Sequence, residues 1–475
     1  MNYPAIEHHG AHRGVTGSCH QLHLDKGASL LIDCGAFQGA DAPRDVTHSL
    51  GFSIAGIQAL VVTHVHIDHI GRIPQLLAAG FAGPILCSEP SAKLLPLMLE
   101  DAFRLGISRD AGHVRRFTEL VEQRIQAIPF GQWYDACPGS PTPCRVRLQR
   151  AGHILGSAYV ECDIAPGLAE ANTRIVFSGD LGAGDSPLLR KPGPPERADL
   201  LVLESTYGDR MHAGRGERQR RLEELIEQAL ADQGTVLIPA FSLGRTQDLL
   251  FELEEILHRR GLDLPGAATP AGEAVDWPQL PIILDAPLAS RVTQAYRELD
   301  EHWNEEAQAR VAQGRDPLGF KQMITIDGHD QHQRVVNYLA STLRPAIVIA
   351  GNGMCSSGRI LNYLKAMIRH PRHNVIFTGY QAKGTPGAII QAAEGAEGFV
   401  SIDLDGERYE IRAGISTLTG YSAHADQAGL VSFATEVPVL PSHIRLVHGE
   451  PQAKAALKRA LESAYRTQGV AGVID

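Results

Sequence analysis

The residues best able to do chemistry are gathered in one hexapeptide, His64-Val65-His66-Ile67-Asp68-His69. Imidazole nitrogen and carboxylate oxygen are ligands that zinc takes at about 2.0–2.2 Å, and catalytic zinc sites keep one position open for water. Four such groups so close together can serve two cations. His64 and His66 point the same way from an extended turn and suit one, while Asp68 and His69 stand where a helix begins and suit the other. The alternative, a solvated polar loop, rarely collects this order of ligands. Two further residues suit a binuclear site. His153, in Ala151-Gly152-His153-Ile154-Leu155-Gly156, lies among small and apolar residues and by itself reads more readily as a core histidine. Asp180, in Ser178-Gly179-Asp180-Leu181-Gly182, reads as a turn residue or as a carboxylate bridging both cations.

These residues need rigid elements beneath them. Short β-branched and leucine runs end at polar residues: Leu30–Ile32 before Asp33, Leu60–Val62 before Thr63 and His64, Ile175–Phe177 before Ser178, and Leu200–Leu203 before Glu204. Strand ends of this kind carry sites in layered α/β proteins, because the strands hold the loops. The same texture returns at Thr235–Pro239, Ile282–Asp285, Ala346–Ala350, Val375–Thr378 and Ile444–Val447. Between them, Leu222, Leu225, Ile226 and Leu230 recur at helical spacing within Arg218–Ala231. Gly261–Pro281, rich in proline and glycine, reads as a surface excursion, and Ala393–Gly406 as a turn region between short strands.

Composition bounds the rest. The chain has 475 residues, 44% hydrophobic and 21% charged, so it has length for two or three domains and no sign of global disorder. A net charge of −10, from 44 basic against 54 acidic residues, excludes a uniformly basic coat for nucleic acid. The 21 histidines are the unusual feature. The seven cysteines are odd in number and form no C-x-x-C, which points to reduced, buried thiols. The first residues have neither a basic nor an apolar leader region, and no apolar run is long enough to span a bilayer, so the expected location is cytoplasmic and no membrane partner is expected.

In order and rough spacing, His64, His66, Asp68, His69, His153 and Asp180 resemble the metallo-β-lactamase superfamily pattern. Asp33, in Leu31-Ile32-Asp33-Cys34-Gly35, resembles its first acidic motif, which orients a ligand histidine. A simple member would supply its last ligand soon after Asp180. This chain instead has Leu203-Glu204-Ser205-Thr206-Tyr207-Gly208-Asp209-Arg210 and, after a long interval, Gly420-Tyr421-Ser422-Ala423-His424-Ala425-Asp426 and Leu446-Val447-His448-Gly449-Glu450. These resemble motifs A, B and C of the β-CASP nucleases, which include RNase J and the eukaryotic pre-mRNA 3′-end cleavage endonuclease. The segments Pro239–Gln247 and Gly379–Gly387 also resemble that family, although Ala388 stands where it often has arginine.

The resemblance implies a four-layer αββα metallo-β-lactamase fold with an inserted α/β β-CASP domain: residues 1–205 and 413–475 form the first domain and 206–412 the second. It implies two zinc ions, one on His64, His66, His153 and Asp180, the other on Asp68, His69, His448 and the shared Asp180. It implies a zinc-dependent ribonuclease, endonucleolytic, 5′-exonucleolytic or both, using a hydroxide held between the metals. Asp68 would accept the nucleophile's proton, His424 would protonate the leaving oxygen, and Glu204 would hydrogen-bond near the site. Members with histidine at motif C act on RNA, so His448 favours single-stranded RNA as partner. Relatives are often dimers, which makes a homodimer an expectation.

Candidate substrate-binding residues are Ser205, Arg245, Ser356, Lys383 and Ser422. Ser356 stands where backbone N–H groups at a helix start could meet a phosphate, and Lys383 could replace the missing arginine. Two basic stretches, Arg210–Arg221 and Arg359–His373, read as phosphate contacts or as ordinary solvated helix faces. A thioesterase-like small-molecule hydrolase would account for the metal motif but not for Glu204, His424 and His448. A non-catalytic RNA-processing scaffold would be expected to have lost ligands that this chain keeps, and a flavo-di-iron protein would need a different ligand pattern and a flavin domain.

Overall fold

Every apolar run picked out above forms a strand in the computed structural model, which describes residues 3–42, 49–165, 172–212, 214–261, 279–342, 344–379 and 381–475. Most of the proline- and glycine-rich stretch from Gly261 to Pro281 lies outside the described residues. The chain divides into two compact units, residues 1–211 with 423–475, and residues 212–422. The expected boundaries after 205 and after 412 thus move to after Met211 and after Ser422. The second shift has a plain cause: Gly414–Thr417 pairs in parallel with Asn374–Phe377 and completes the second unit's sheet.

In the first unit, a six-stranded sheet runs in chain order through Ala5–Gly10, Cys19–His23, Ser29–Ile32, Ile57–Val61, Ile85–Ser88 and Ile125–Ile128. A seven-stranded sheet has the order Val473–Ile474, His443–Val447, Leu200–Glu204, Thr173–Phe177, Ala158–Ile164, Cys144–Arg150 and Trp133–Asp135. The two sheets bury one core between them, with Leu22, Ile32 and Val61 of the first against Val146, Val160 and Phe177 of the second. Side chains alternate across a strand, so Ile175 and Phe177 enter this core. Val176 turns the other way, toward Leu430, Phe433, Leu457 and Leu461 of the helices Gln427–Thr435 and Pro451–Thr467. Helix Glu89–Gly106 covers the first sheet and carries Ala111–Arg124. These are the four layers, helix, sheet, sheet, helix. Both sheets have one face on the core and one under helices, which is why their strands read as near-continuous apolar runs.

One pairing matters most for the site. His443–Val447 lies parallel to Leu200–Glu204 with Val447 opposite Glu204. That register sets the residues after both strands side by side despite their distance in sequence.

The second unit is built on a six-stranded sheet in the order Met323–Thr325, Ile282–Asp285, Ala346–Ala350, Thr235–Pro239, Asn374–Phe377 and Gly414–Thr417. All its pairings are parallel. Helix Arg215–Ala231 leads into its first strand, and Arg245–Gly261, Pro287–Arg297, His329–Thr342 and Arg359–Met367 lie in the crossovers. Ser401–Leu404 and Glu407–Glu410 form a separate hairpin.

Both basic stretches prove to be engaged within the fold. Arg215 pairs with Glu306 at 2.6 Å and Arg218 with Glu252 at 2.9 Å. Arg220 and Arg221 both reach Glu224, one helical turn away. Arg359 pairs with buried Asp285, and Lys365 with Asp405. All seven cysteines are buried free thiols. Among the described residues no helix is long and apolar enough to cross a membrane.

This core assignment predicts a contrast in stability. Leu148 is 0% exposed and Phe399 is 91% exposed. Leu148→Ala should lower the unfolding free energy by about 2–5 kcal/mol, and Phe399→Ala should change it by no more than about 0.5 kcal/mol. Denaturant titration of both variants checks this; equal midpoints would contradict the assigned core.

Candidate metal centre

The site lies wholly in the first unit, where the ends of several strands meet. His64 follows the strand Ile57–Val61, and His66 is the N-cap of the short helix Ile67–Ile70, which carries Asp68 and His69. His153 follows Cys144–Arg150, where Ser157 Oγ accepts from its backbone N–H at 2.9 Å. Asp180 follows Thr173–Phe177 across Gly179, whose φ is +53°. A side chain at Gly179 would strike Thr63, with its Cβ 2.8 Å from that of Thr63. Only glycine brings these two strand ends so close.

The side chains form two groups joined by one carboxylate. His66 Nδ1 lies 3.1 Å from His64 Nε2 and 3.1 Å from His153 Nε2. Asp180 Oδ2 is 3.5 Å from His64 Nε2 and 3.6 Å from His153 Nε2. On the other side, Asp180 Oδ1 is 3.3 Å from His69 Nε2 and 3.5 Å from His448 Nε2. His448 Nε2 is 3.5 Å from Asp68 Oδ2 and 3.2 Å from His69 Nε2. Ligands about 2.1 Å from a tetrahedral cation stand about 3.4 Å from one another, which matches these separations. The donors are four imidazole nitrogens and a carboxylate together with a second carboxylate and histidine, the chemistry that zinc-like cations take. Asp180 Oδ1 is also buried without a hydrogen-bond partner, as a metal-ligating oxygen would be. The residues therefore fit a divalent metal.

Surrounding groups aim the ligands. Asp33, at φ +60°, accepts from Thr63 N–H at 2.8 Å and Thr63 Oγ1–H at 2.8 Å. Its Oδ2 lies 2.7 Å from His69 Nδ1. With Nδ1 donating to Asp33, the Nε2 lone pair of His69 faces the cluster. His448, at φ +52°, is held through its N–H by the carbonyl of Ala11 at 2.6 Å. Its Nδ1 lies 3.2 Å from Thr206 Oγ1, leaving Nε2 for the cluster. Thr63 and Thr206 were not anticipated from the sequence, where neither hydroxyl carries a pattern of its own.

Glu204 and His424 form a third group beside Asp180. Glu204 Oε1 accepts from Leu181 N–H at 2.8 Å and lies 3.1 Å from His424 Nδ1. His424 Nδ1 is 3.9 Å from Asp180 Oδ2. Backbone pairing of His424 with Gly182 and of Ala425 N–H with the Leu181 carbonyl, at 2.7 Å, sets the loop.

Electrostatics divides the histidines. Burial lowers His66 to about 4 and holds His64 and His153 well below the ordinary imidazole range. These three are neutral, as ligands must be. Burial also opposes charge on His69 and His448, but Asp180 outweighs it, with Asp33 and Asp68 respectively, and both are raised. Burial acts likewise on His424, where Glu204 and Asp180 prevail and raise it to about 9.

The expected substrate-binding residues separate. Ser205 is 0% exposed and its hydroxyl donates to the Val447 carbonyl at 2.7 Å, so it ties two strand ends together and offers nothing to a substrate. Arg245, Ser356, Lys383 and Ser422 belong to the second unit. Ser356 and Lys383 are exposed after the strands Ala346–Ala350 and Asn374–Phe377. Arg245 starts a helix and turns toward Asp248, at 3.8 Å, and the Tyr421 ring.

Comparison with known proteins agrees with this layout. Residues 15–155 match the metallo-β-lactamase superfamily, residues 246–390 the Beta-Casp domain, and residues 408–470 a domain described as the Zn-dependent metallo-hydrolase RNA specificity domain. A protein of Thermus thermophilus called Ribonuclease TTHA0252 is 35% identical over 456 residues, 95% of this chain and 94% of that one. A transcription termination factor, FttA, of Methanothermobacter thermautotrophicus is 27% identical, over 97% of this chain and 69% of its own. That of Pyrococcus abyssi is 30% identical, over 83% of this chain and 58% of its own. With one relative matched almost end to end and three domain matches spread along the chain, the protein belongs to the β-CASP ribonuclease family of the metallo-β-lactamase superfamily, a family of metal-dependent hydrolases.

Proposed function

We propose that the chain holds two zinc ions and hydrolyses phosphodiester bonds of single-stranded RNA. The observation that carries this reading is Asp180, a buried carboxylate with His64 and His153 beside one oxygen and His69 and His448 beside the other. His64, His66, His153 and Asp180 would hold one ion, and Asp68, His69, His448 and Asp180 the other. When bound, such cations supply a nucleophile from water at neutral pH and offset charge growing on the phosphate oxygens.

The chain's own groups handle the protons. Asp68 carries the carboxylate assigned to take the proton of the attacking water. As a ligand of a bound cation it would be ionised before the reaction. As the water oxygen bonds to phosphorus, the bond to the leaving oxygen breaks, and that oxygen needs a proton. His424 is assigned to donate it, with its ring held at Nδ1 by Glu204. Glu204 keeps His424 charged until the transfer. Asp33 does no chemistry but fixes the ring of His69. An inward-facing set of this kind, with a separate acid, suits a phosphodiester better than a thioester, whose thiolate leaves without a proton. Ser356, Lys383 and Arg245 remain the proposed phosphate contacts of the second unit, together with Ser422.

Purified protein should contain about two zinc ions per chain by elemental analysis and should cut labelled single-stranded RNA until a chelator is added, with no comparable thioesterase activity. Asp68→Ala combined with His69→Ala should lose zinc and cleavage together; cleavage at the wild-type rate would reject the reading. His424→Ala should keep its zinc while kcat falls about 10²–10⁴-fold, and loss of metal in that variant would instead make His424 a ligand. Asp33→Asn should weaken zinc affinity about 10–100-fold, measured by competition with a chelating dye.

A further inference from the structure

Three residues ahead of His424 the chain is gripped inside the second unit. Tyr421 is 1% exposed, and its hydroxyl donates to Glu252 Oε2. Glu252 is 0% exposed and accepts on Oε1 from Arg218 Nη2 at 2.9 Å and Nε at 3.2 Å. Arg218 spends Nη1 on the carbonyl of Gly420 at 2.6 Å. Its guanidinium also lies 5.0 Å from the centre of the Tyr421 ring, with that of Arg245 at 5.8 Å. Gly420 has φ +86°, so the chain bends sharply just where it is held. The carbonyl, the ring and the hydroxyl of one dipeptide are thus all fixed by a buried ion pair reaching from helix Arg215–Ala231 to helix Arg245–Gly261.

Stability alone is a weak reason for such an arrangement, because well-packed apolar side chains of similar volume usually serve a core as well as a buried ion pair. A charged network does impose one geometry, since each misplaced donor leaves a buried charge unpaired. The geometry imposed here is that of Gly420 and Tyr421, from which the chain runs through Ser422 and Ala423 into His424.

We propose that Arg218, Glu252 and Tyr421 are positioning residues for the proton donor: they set the backbone from which His424 reaches its proton-transfer position. The inference rests on His424 acting as the general acid. A misplacement of about 1 Å in a reacting group can cost about 10²-fold in rate, so a small loosening of this grip is measurable.

The test uses the full zinc-loaded chain with two substrates, labelled single-stranded RNA and bis(p-nitrophenyl) phosphate. The sugar alkoxide leaving from RNA needs a proton, whereas p-nitrophenolate leaves without one. In Tyr421→Phe the ratio of kcat on RNA to kcat on the activated diester should fall about ten-fold, with KM for RNA and zinc content unchanged. Glu252→Gln, which keeps the shape and one acceptor oxygen, should move the ratio in the same direction. His424→Ala should move it furthest. If both clamp variants keep the wild-type ratio while His424→Ala lowers it, the clamp is overturned and the role of His424 stands. Equal losses on both substrates in Tyr421→Phe would mark general structural damage and also overturn it. An unchanged ratio in His424→Ala would remove the general acid on which the clamp depends.

Discussion

A carboxylate buried to 2% exposure, with an imidazole pair on each of its oxygens, is the constraint from which the first unit is best understood. An isolated charge at that depth would cost several kcal/mol, so Asp180 requires compensating partners on both sides. The partners come from three strand ends: His64 and His69 after Ile57–Val61, His153 after Cys144–Arg150, and His448 after His443–Val447. The backbone departs from ordinary geometry at the same place: Asp33, Gly179 and His448 all have positive φ. Such strain persists only where surrounding structure over-determines it. Here the apolar core beneath, with Phe177 and Val202 under the strand ends, provides that support.

The second unit shows the same principle without a metal. Asp285, fully buried at the end of its strand, accepts from Tyr363 at 2.6 Å and lies 2.7 Å from His332 Nδ1, with Arg359 on its other oxygen. Glu252 is met by Arg218 and Tyr421. Strand-end and helix carboxylates in this unit are neutralised by side chains of the same chain. Those of the first unit are met by imidazoles that can give up their protons to a cation. The difference between a structural ion pair and a metal site thus lies in the partner, a guanidinium that never deprotonates or an imidazole that does.

This difference also explains what could be read from the sequence. The ligands from His64 to His69 are legible because covalent proximity brings them together. His153 and Asp180 are weaker signals that gain meaning only beside the hexapeptide. His424 and His448 are joined to the others by backbone pairings, with Gly182 and between two strands respectively, that span more than half the chain, so only their resemblance to family motifs revealed them. Thr63 and Thr206 are not legible in the sequence, because a hydroxyl that aims an imidazole has no characteristic spacing. The strands were legible because both faces of their sheets are buried, which turns periodicity into continuous apolar runs. The arginine stretches read as phosphate contacts or solvated helix faces because their partners Glu252, Glu306 and Asp285 lie far away in sequence. Ser205 looked available for the same reason, its acceptor being the carbonyl of Val447.

The remaining question is how a chain with a net charge of −10 would attract a polyanion. Charges further away than about 10 Å are largely screened at 0.1 M salt, so the total matters less than the charge within the site. Asp33, Asp68, Asp180 and Glu204 bring four negative charges to this cluster, and its ligand histidines are neutral once they hold metal. Two divalent cations would balance those carboxylates, and a protonated His424 would leave the pocket positive. A phosphate would then meet a locally attractive site on an otherwise acidic protein. Attraction of that kind depends on the metal being present, so affinity for RNA and the capacity to cleave it would arise together, and the metal-free chain would have little hold on its substrate.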